Sequence, residues 1–287
     1  MNILKNKYFS LRIDIDSLIG LEKGVPNILK VLRKYNFKAS FYITFGREGN
    51  LFEILKYKFL RNDNHSTTNQ NFKKSRLKRI SERKLEVLKM LFWPKKIVSE
   101  KGILTKIRKE GHDVGLHSYV HVKWHDINEK EIEKEFKQMI ACYRGVFGKD
   151  PNSFVSPYFN HNKLILDYID ELNIKYASCL DGEYPFVPKG YNHIEVPVNT
   201  KMTSLNFPLI EYFARLGYDD DKILEESINV IEKNMEKLGL VTIYIHPRIE
   251  GYYFINIFEK LMTHVSRKGY EVKTYEEVGN IFCSNEI

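Results

Sequence analysis

The 287-residue sequence predicts an α/β fold, a closed or nearly closed barrel of seven or eight β/α units with one inserted basic helical segment. Three observations carry this expectation. Short β-rich runs alternate with longer amphipathic stretches from end to end. Acids and histidines stand at the ends of several apolar runs, where a barrel places its chemistry. The alternation breaks only once, and the chain's net positive charge is concentrated in that break.

The strand candidates, in order, are Tyr8–Asp16, Lys38–Phe45, Asp113–His117, Ser153–Tyr158, Tyr176–Cys179, Ile194–Val198, Leu240–His246 and Tyr270–Thr274. Helical periodicity runs through Val25–Tyr35, Glu129–Phe147, Lys163–Leu172, Asp220–Leu238 and Asn256–Lys268. Asn128-Glu-Lys-Glu has the form of a helix start, with an N-cap residue followed by acids in the first turn. Strand and helix repeated in this way predict a parallel sheet with helices outside it. No internal repeat or low-complexity tail is evident, so a single domain over residues 1–287 is expected.

The break is residues 47–101, where one connection would ordinarily be short. It opens with LFEILKYKFL, crosses a polar stretch (Asn62–Asn71) and continues as a basic helix candidate. Leu77, Ile80, Val87, Leu88 and Leu91 recur there at helical spacing, and Phe92-Trp93 precede Pro94. Residues 73–101 hold eleven Lys or Arg against three acids, an excess equal to the net charge of +8 of the whole chain. Lys73, Lys74, Arg76, Arg79 and Arg83, with Phe92 and Trp93, therefore form a candidate membrane-interface segment that meets anionic head groups. A solvated helix covering the barrel is the competing explanation. Nucleic-acid binding is disfavoured, because the basicity is confined to one insertion and no nucleic-acid motif accompanies it.

Composition sets the remaining bounds. A hydrophobic fraction of 43% with 29% charged residues is that of an ordinary folded protein. No apolar run approaches the roughly 20 residues of a spanning helix. The N-terminal residues lead directly into a strand pattern without the apolar core of a signal peptide, and Cys142, Cys179 and Cys283 show no metal-ligand spacing. A cytoplasmic location is expected.

Three constellations point to chemistry. Asp14 and Asp16 end the first strand, and alternation puts both carboxylates on one side of it. His117 and His121, four residues apart, would face the same way in one helical turn and suit a shared divalent metal. His246 ends the apolar run Leu240–Ile245 and is a general-acid candidate. Each alone also fits an acidic loop start or a hydrogen-bonded histidine. Together, two imidazoles and a carboxylate make an open metal site with room for water and substrate.

Taken in order, these residues resemble the NodB-homology polysaccharide deacetylases (carbohydrate esterase family 4-like). Asp14-x-Asp16 corresponds to the first motif, His117 to His121 to the second and Tyr244-Ile-His246 to the last. Leu11-Arg-Ile-Asp-Ile-Asp, Gly24-Val-Pro, Ala39-Ser-Phe-Tyr, Trp93-Pro-Lys-Lys-Ile, Asp113-Val-Gly-Leu-His and Ile249-Glu-Gly are similar to one branch. That branch holds the undecaprenyl-phosphate formamido-arabinose deformylases and related undecaprenyl-phosphate N-acetylhexosamine deacetylases. The resemblance implies a distorted (β/α)7–8 barrel and one divalent cation held by Asp16, His117 and His121. Zinc is the expected ion, with Mn2+, Co2+ or Ni2+ as alternatives. It further implies Asp14 as general base, His246 as general acid and a backbone N–H near Tyr158 for the oxyanion.

One motif departs from the family. The third motif commonly carries an Arg that orients the base, whereas this segment reads Phe154-Val-Ser-Pro-Tyr-Phe-Asn-His. Either His161 substitutes for it or the base is held in a different way, and Glu250 is a candidate contact for the sugar or the new amine. The expected function is deacetylation of an undecaprenyl-phosphate-linked amino sugar at the inner face of the membrane, in lipopolysaccharide modification. Deformylation of the arabinose compound is the alternative. An inactive barrel that binds glycan or nucleic acid is the remote one.

Overall fold

The computed structural model describes residues 6–46, 96–121, 128–202 and 207–283. The basic positions Lys73, Lys74, Arg76, Arg79 and Arg83 and the aromatic pair Phe92-Trp93 lie outside them.

Strand β1 (Tyr8–Ile15) explains how the rest is arranged. Its odd positions Phe9, Leu11, Ile13 and Ile15 enter the large core shared with the helices, and its even positions Ser10, Arg12 and Asp14 are polar yet buried. A strand buried on both faces belongs at the centre of a parallel sheet. β1 pairs in parallel with β7 (Leu240–Ile245) along Tyr8–Ile13 and with β2 (Ser40–Thr44) along Arg12–Ile15. At Tyr8–Ser10 it also pairs with the short β8 (Glu271–Lys273). From β2 the sheet continues through β3 (Asp113–Ser118), β4 (Ser153–Phe154), β5 (Tyr176–Ala177) and β6 (Ile194–Glu195), all parallel.

The helices in chain order are α1 (Val25–Lys34), α2 (Lys101–Lys109), α3 (Glu129–Phe147), α4 (Lys163–Glu171), α5 (Leu209–Arg215), α6 (Asp220–Leu238), α7 (Ile255–Arg267) and α8 (Tyr275–Cys283). α3 begins at the expected residue. Asn128 Oδ1 accepts from Glu131 N–H while Glu131 answers at Asn128 N–H, and Gly148 ends the helix in the left-handed region at φ 68°. The alternating strand residues define a second, smaller apolar cluster of Tyr42, Val155, Tyr176, Ile194, Val196 and Leu240, which α8 completes with Tyr275 and Val278.

The architecture is the distorted β/α barrel, curled into an eight-stranded sheet that strand pairing leaves open between β6 and β7 among the described residues. Side chains bridge that gap. Asn199 N–H donates to Thr242 Oγ1 at 2.8 Å, Thr242 N–H donates to Asn199 Oδ1 at 2.9 Å, and Asn199 Nδ2 donates to Leu240 C=O at 3.0 Å. Asn199 thus satisfies groups at the unpaired sheet edge, together with Thr200 Oγ1, which donates to Thr242 C=O, and Thr242 Oγ1, which donates to Pro197 C=O.

Around the insertion, Ile97 N–H donates to Gly46 C=O and Val98 N–H to Phe45 C=O. The chain leaves and rejoins the barrel at one point, after β2.

Candidate metal centre and active site

The strand ends converge on one pocket of about 450 Å³, lined by Asp14, Asp16, His117, His121, Tyr158 and His246 among others. Five of the sequence-selected residues and the candidate oxyanion residue therefore meet, although 230 positions separate Asp16 from His246.

His117 Nε2 lies 3.2 Å from Asp16 Oδ1, and His121 Nε2 lies 3.6 Å from Asp16 Oδ2. The three ligand atoms all fall within 4.8 Å of one another. His117 Nδ1 is 2.9 Å from the Val155 carbonyl, which can only accept, so the Nδ1 proton is fixed and the Nε2 lone pair faces Asp16. A lone pair facing a carboxylate calls for a cation between them. Asp16 Oδ1 is buried without a hydrogen-bond partner. Two imidazoles and one carboxylate arranged in this way fit a divalent ion.

The histidine pair converges by a different route from the one its spacing suggests. His117 is still in β3, and His121 follows a bend rather than a helical turn. Glu135, from α3, holds the bend by accepting Tyr119 and Val120 N–H, both at 2.9 Å. Gly46 packs beneath it, where an added Cβ would lie 2.2 Å from Tyr119 O.

Asp14 is held by a residue that the motif comparison passed over. Arg12 Nε donates to Asp14 Oδ1 at 2.8 Å and Arg12 Nη2 to Oδ2 at 2.7 Å, and both side chains are almost fully buried. The guanidinium lies 4.6 Å from the centre of the Phe159 ring. The expected substitution by His161 is not seen: His161 is exposed and outside the pocket lining.

His246 sits just beyond β7, with Nε2 3.4 Å from Asp16 Oδ2 and Nδ1 3.2 Å from Glu211 Oε2. Burial alone would lower its pKa, but the Glu211 hydrogen bond and the charges of Asp16, Glu211 and Glu250 raise it to about 10 in the metal-free chain. Burial opposes ionisation of Asp16 as well, and the three surrounding imidazoles outweigh it, holding the carboxyl well below its usual range. Glu211 lies on α5, is buried and is clamped by Arg215. No motif marks it in the sequence.

Glu250 is not the sugar contact expected of it. It has no exposed surface, and its Oε2 accepts His246 N–H at 2.8 Å, bracing the strand end from below. Burial pushes its pKa up to about 8. Tyr158 remains at the pocket, half-exposed, with its ring edge-on to His121 at 4.8 Å. It and Phe159 adopt left-handed φ values of 56° and 54°, strain of the kind that collects at functional sites.

A parallel barrel with carboxylates and imidazoles gathered at its strand ends, three of them backed by buried partners, defines a metal-dependent hydrolase. More particularly, the chain belongs to the polysaccharide deacetylase family, whose model matches residues 4–177. Its activity class is hydrolysis of an amide C–N bond, and its family is metal-dependent. It is 25% identical over 272 residues to a protein of Shewanella sediminis named as a probable 4-deoxy-4-formamido-L-arabinose-phosphoundecaprenol deformylase, covering 91% of this chain and 82% of that one. A protein of the same name from Wigglesworthia glossinidia brevipalpis is 23% identical, with 88% and 85% covered. The fold matches the crystal structure of a candidate polysaccharide deacetylase from Mycobacterium smegmatis with a TM-score of 0.67 at 14% identity, covering 100% of this chain and 94% of that one.

Proposed function

We propose that the chain is an N-deacylase of an amino sugar carried on undecaprenyl phosphate. The observation that carries this reading is the Asp16–His117–His121 donor set beside a carboxylate, Asp14, that an arginine holds in place. Asp16, His117 and His121 would hold the ion, with zinc as the first candidate. A bound divalent cation supplies Lewis acidity, acidifying water and polarising the acyl carbonyl. Asp14 takes the proton of the attacking water. A backbone N–H near Tyr158 would meet the developing oxyanion. His246, steadied at Nδ1 by Glu211, delivers a proton to the departing amine.

The first substrate to test is an undecaprenyl-phosphate N-acetylhexosamine. Deformylation of the formamido-arabinose compound is the second reading, supported by the names of the two relatives. With Asp14 held by Arg12, the missing third-motif arginine no longer separates this chain from the deformylases. Attachment to the inner face of the membrane is supported by the eleven Lys and Arg of residues 73–101. No helix among the described residues is long and apolar enough to cross a membrane.

Acetate and formate release from the two lipid-linked substrates in detergent, measured with metal content for wild type and His117→Ala, tests the reading. About one zinc per chain, with metal and activity both lost in the variant, is expected. Release of formate alone would move the assignment to the second substrate. A folded protein that takes up no metal on incubation with zinc and releases neither acid would refute the hydrolase reading.

A further inference from the structure

Arg12 and Asp14 are two residues apart on one strand, so the pleat points both side chains to the same face. The guanidinium presents its fork to both carboxylate oxygens, which fixes the plane of the carboxylate as well as its position. Its third nitrogen is also engaged. Arg12 Nη1 donates to Ser178 C=O at 3.2 Å and to Ser178 Oγ at 3.3 Å. The segment after Ser178 is pinned in turn. Glu195, fully buried on β6, accepts Cys179 N–H at 2.8 Å and Leu180 N–H at 3.1 Å through one oxygen. A buried arginine costs several kcal/mol in desolvation unless it is fully paired, so this one has little freedom to leave the fork.

We infer that Arg12 is the positioning residue for the base, aiming Asp14 from within the same strand, and that Ser178 and Glu195 set Arg12 from the far side of the sheet. The inference rests on the proposed hydrolase reading. It assigns to β1 an orienting role that the sequence of the third motif leaves vacant, and it explains why Ser156-Pro-Tyr158 needs no arginine. Lysine cannot replace the residue, because a single ammonium reaches the carboxylate as a point charge and leaves its rotation free.

The test is a double-mutant cycle on the substrate that wild type hydrolyses, using Arg12→Lys, Asp14→Asn and the double variant, with Zn2+ affinity measured by chelator competition. Arg12→Lys is expected to lower kcat about 10²-fold, the scale of a 1 Å misplacement of a reacting group. KM should stay within about twofold and Zn2+ affinity within about threefold, since Asp14 is not a ligand. In the Asp14→Asn background, Arg12→Lys should change kcat by less than about threefold, because the group it positions is gone. Unchanged kcat in Arg12→Lys, or a full further loss in the double variant, overturns the inference in favour of a structural ion pair. If Arg12→Lys does not fold, Ser178→Ala is read in its place. A kcat loss of roughly threefold or more at constant KM supports the inference, and no loss overturns it. Wild type that binds Zn2+ yet turns over neither substrate overturns the functional reading itself, whereas equal turnover by wild type and Arg12→Lys overturns this inference alone.

Discussion

Gly24→Ala should damage both stability and catalysis, for one geometric reason. Two wide helical turns, Gly20–Gly24 after β1 and Pro247–Tyr253 after β7, pack directly on one another. A Cβ on Gly24 would lie 2.0 Å from Pro247 O and 2.5 Å from Pro247 C, where an ordinary contact is 3.4–4 Å. Both atoms are backbone, so no side chain can swing aside, and the turns must part by more than about 1 Å. Overpacking of this kind costs about 3 kcal/mol, at the upper end of the usual range. At roughly 2–4 °C per kcal/mol for a chain of this size, Tm should fall by about 10 °C. Pro247 follows His246, so the same displacement should lower kcat by roughly 10- to 100-fold. Gly145→Ala is the control. It lies in α3 with nothing within 4 Å of an added Cβ, and should leave activity intact while raising stability by about 0.5 kcal/mol. Thermal melts in excess chelator, which removes any contribution from metal binding, together with kcat on the metal-loaded enzyme, decide the matter. A Gly24→Ala protein that melts with wild type, or a Gly145→Ala protein as unstable as Gly24→Ala, would refute the packing argument.

Asn199→Ala should lower the urea midpoint by the equivalent of about 2–4 kcal/mol at unchanged m, because Thr242 N–H and Leu240 C=O lose their partners at the barrel's open edge. Full stability in that variant would mean that the edge is closed by other means. Glu135→Ala should weaken Zn2+ binding about tenfold by loosening the bend that carries His121, and competition with a chelator reads this directly. His112 and Asp113 predict a compensated pH profile. Burial holds His112 down to about 4, so its contribution to stability is present above pH 6.5 and lost as pH falls through 4. Burial holds Asp113 up to about 6, so its contribution is present below pH 3.8 and lost as pH rises through 6. These opposed slopes nearly cancel, and Asp113→Asn should uncover a loss of about 2–3 kcal/mol on acidification from pH 6.5 to 4. Unfolding at a series of pH values in that window would find this pair irrelevant if the variant's profile matched wild type.

The sequence announces its strands through apolar runs and its chemistry through the polar residues that end them, so Asp14, Asp16, His117, His121 and His246 were all legible before their proximity was known. The helix start at Asn128 was legible because a capping box is a local event. α8 carried the same signal, since Thr274 and Glu277 exchange side-chain and backbone hydrogen bonds across its first turn, and it went unread. Strands β4, β5 and β6 pair over only two residues each, shorter than their apolar runs suggest. After β4 the chain turns at Pro157 into two left-handed residues, and backbone of that kind cannot continue a ladder. The four-residue histidine spacing suggests a helical turn, but the strand Asp113–Ser118 still holds at His117 and the chain then bends to His121. Glu211 and Asn199 could not be read at all. Their partners lie 35 and 43 positions away, and neither belongs to a local pattern.

Arg12 is the instructive intermediate case, because alternation along β1 already placed a cation one pleat from Asp14 and a buried arginine must find an anion. The rule that found the carboxylates would have found it. The same logic shows how the site is built. His117 is held at Nδ1 by Val155, His246 at Nδ1 by Glu211 and at its backbone by Glu250, the bend before His121 by Glu135, and Asp14 by Arg12. In both hydrogen-bonded histidines the fixed nitrogen is the one turned away from Asp16, so the other ring nitrogen faces it. Asp16 differs in that its Oδ1 is buried without a hydrogen-bond partner among the described residues. Three imidazoles face that carboxylate, a donor arrangement that suits a divalent cation. The roles proposed for the two carboxylates, Asp16 as ligand and Asp14 as base, therefore fit a physical difference between them: Asp14 is gripped by an arginine, and Asp16 is faced by imidazoles.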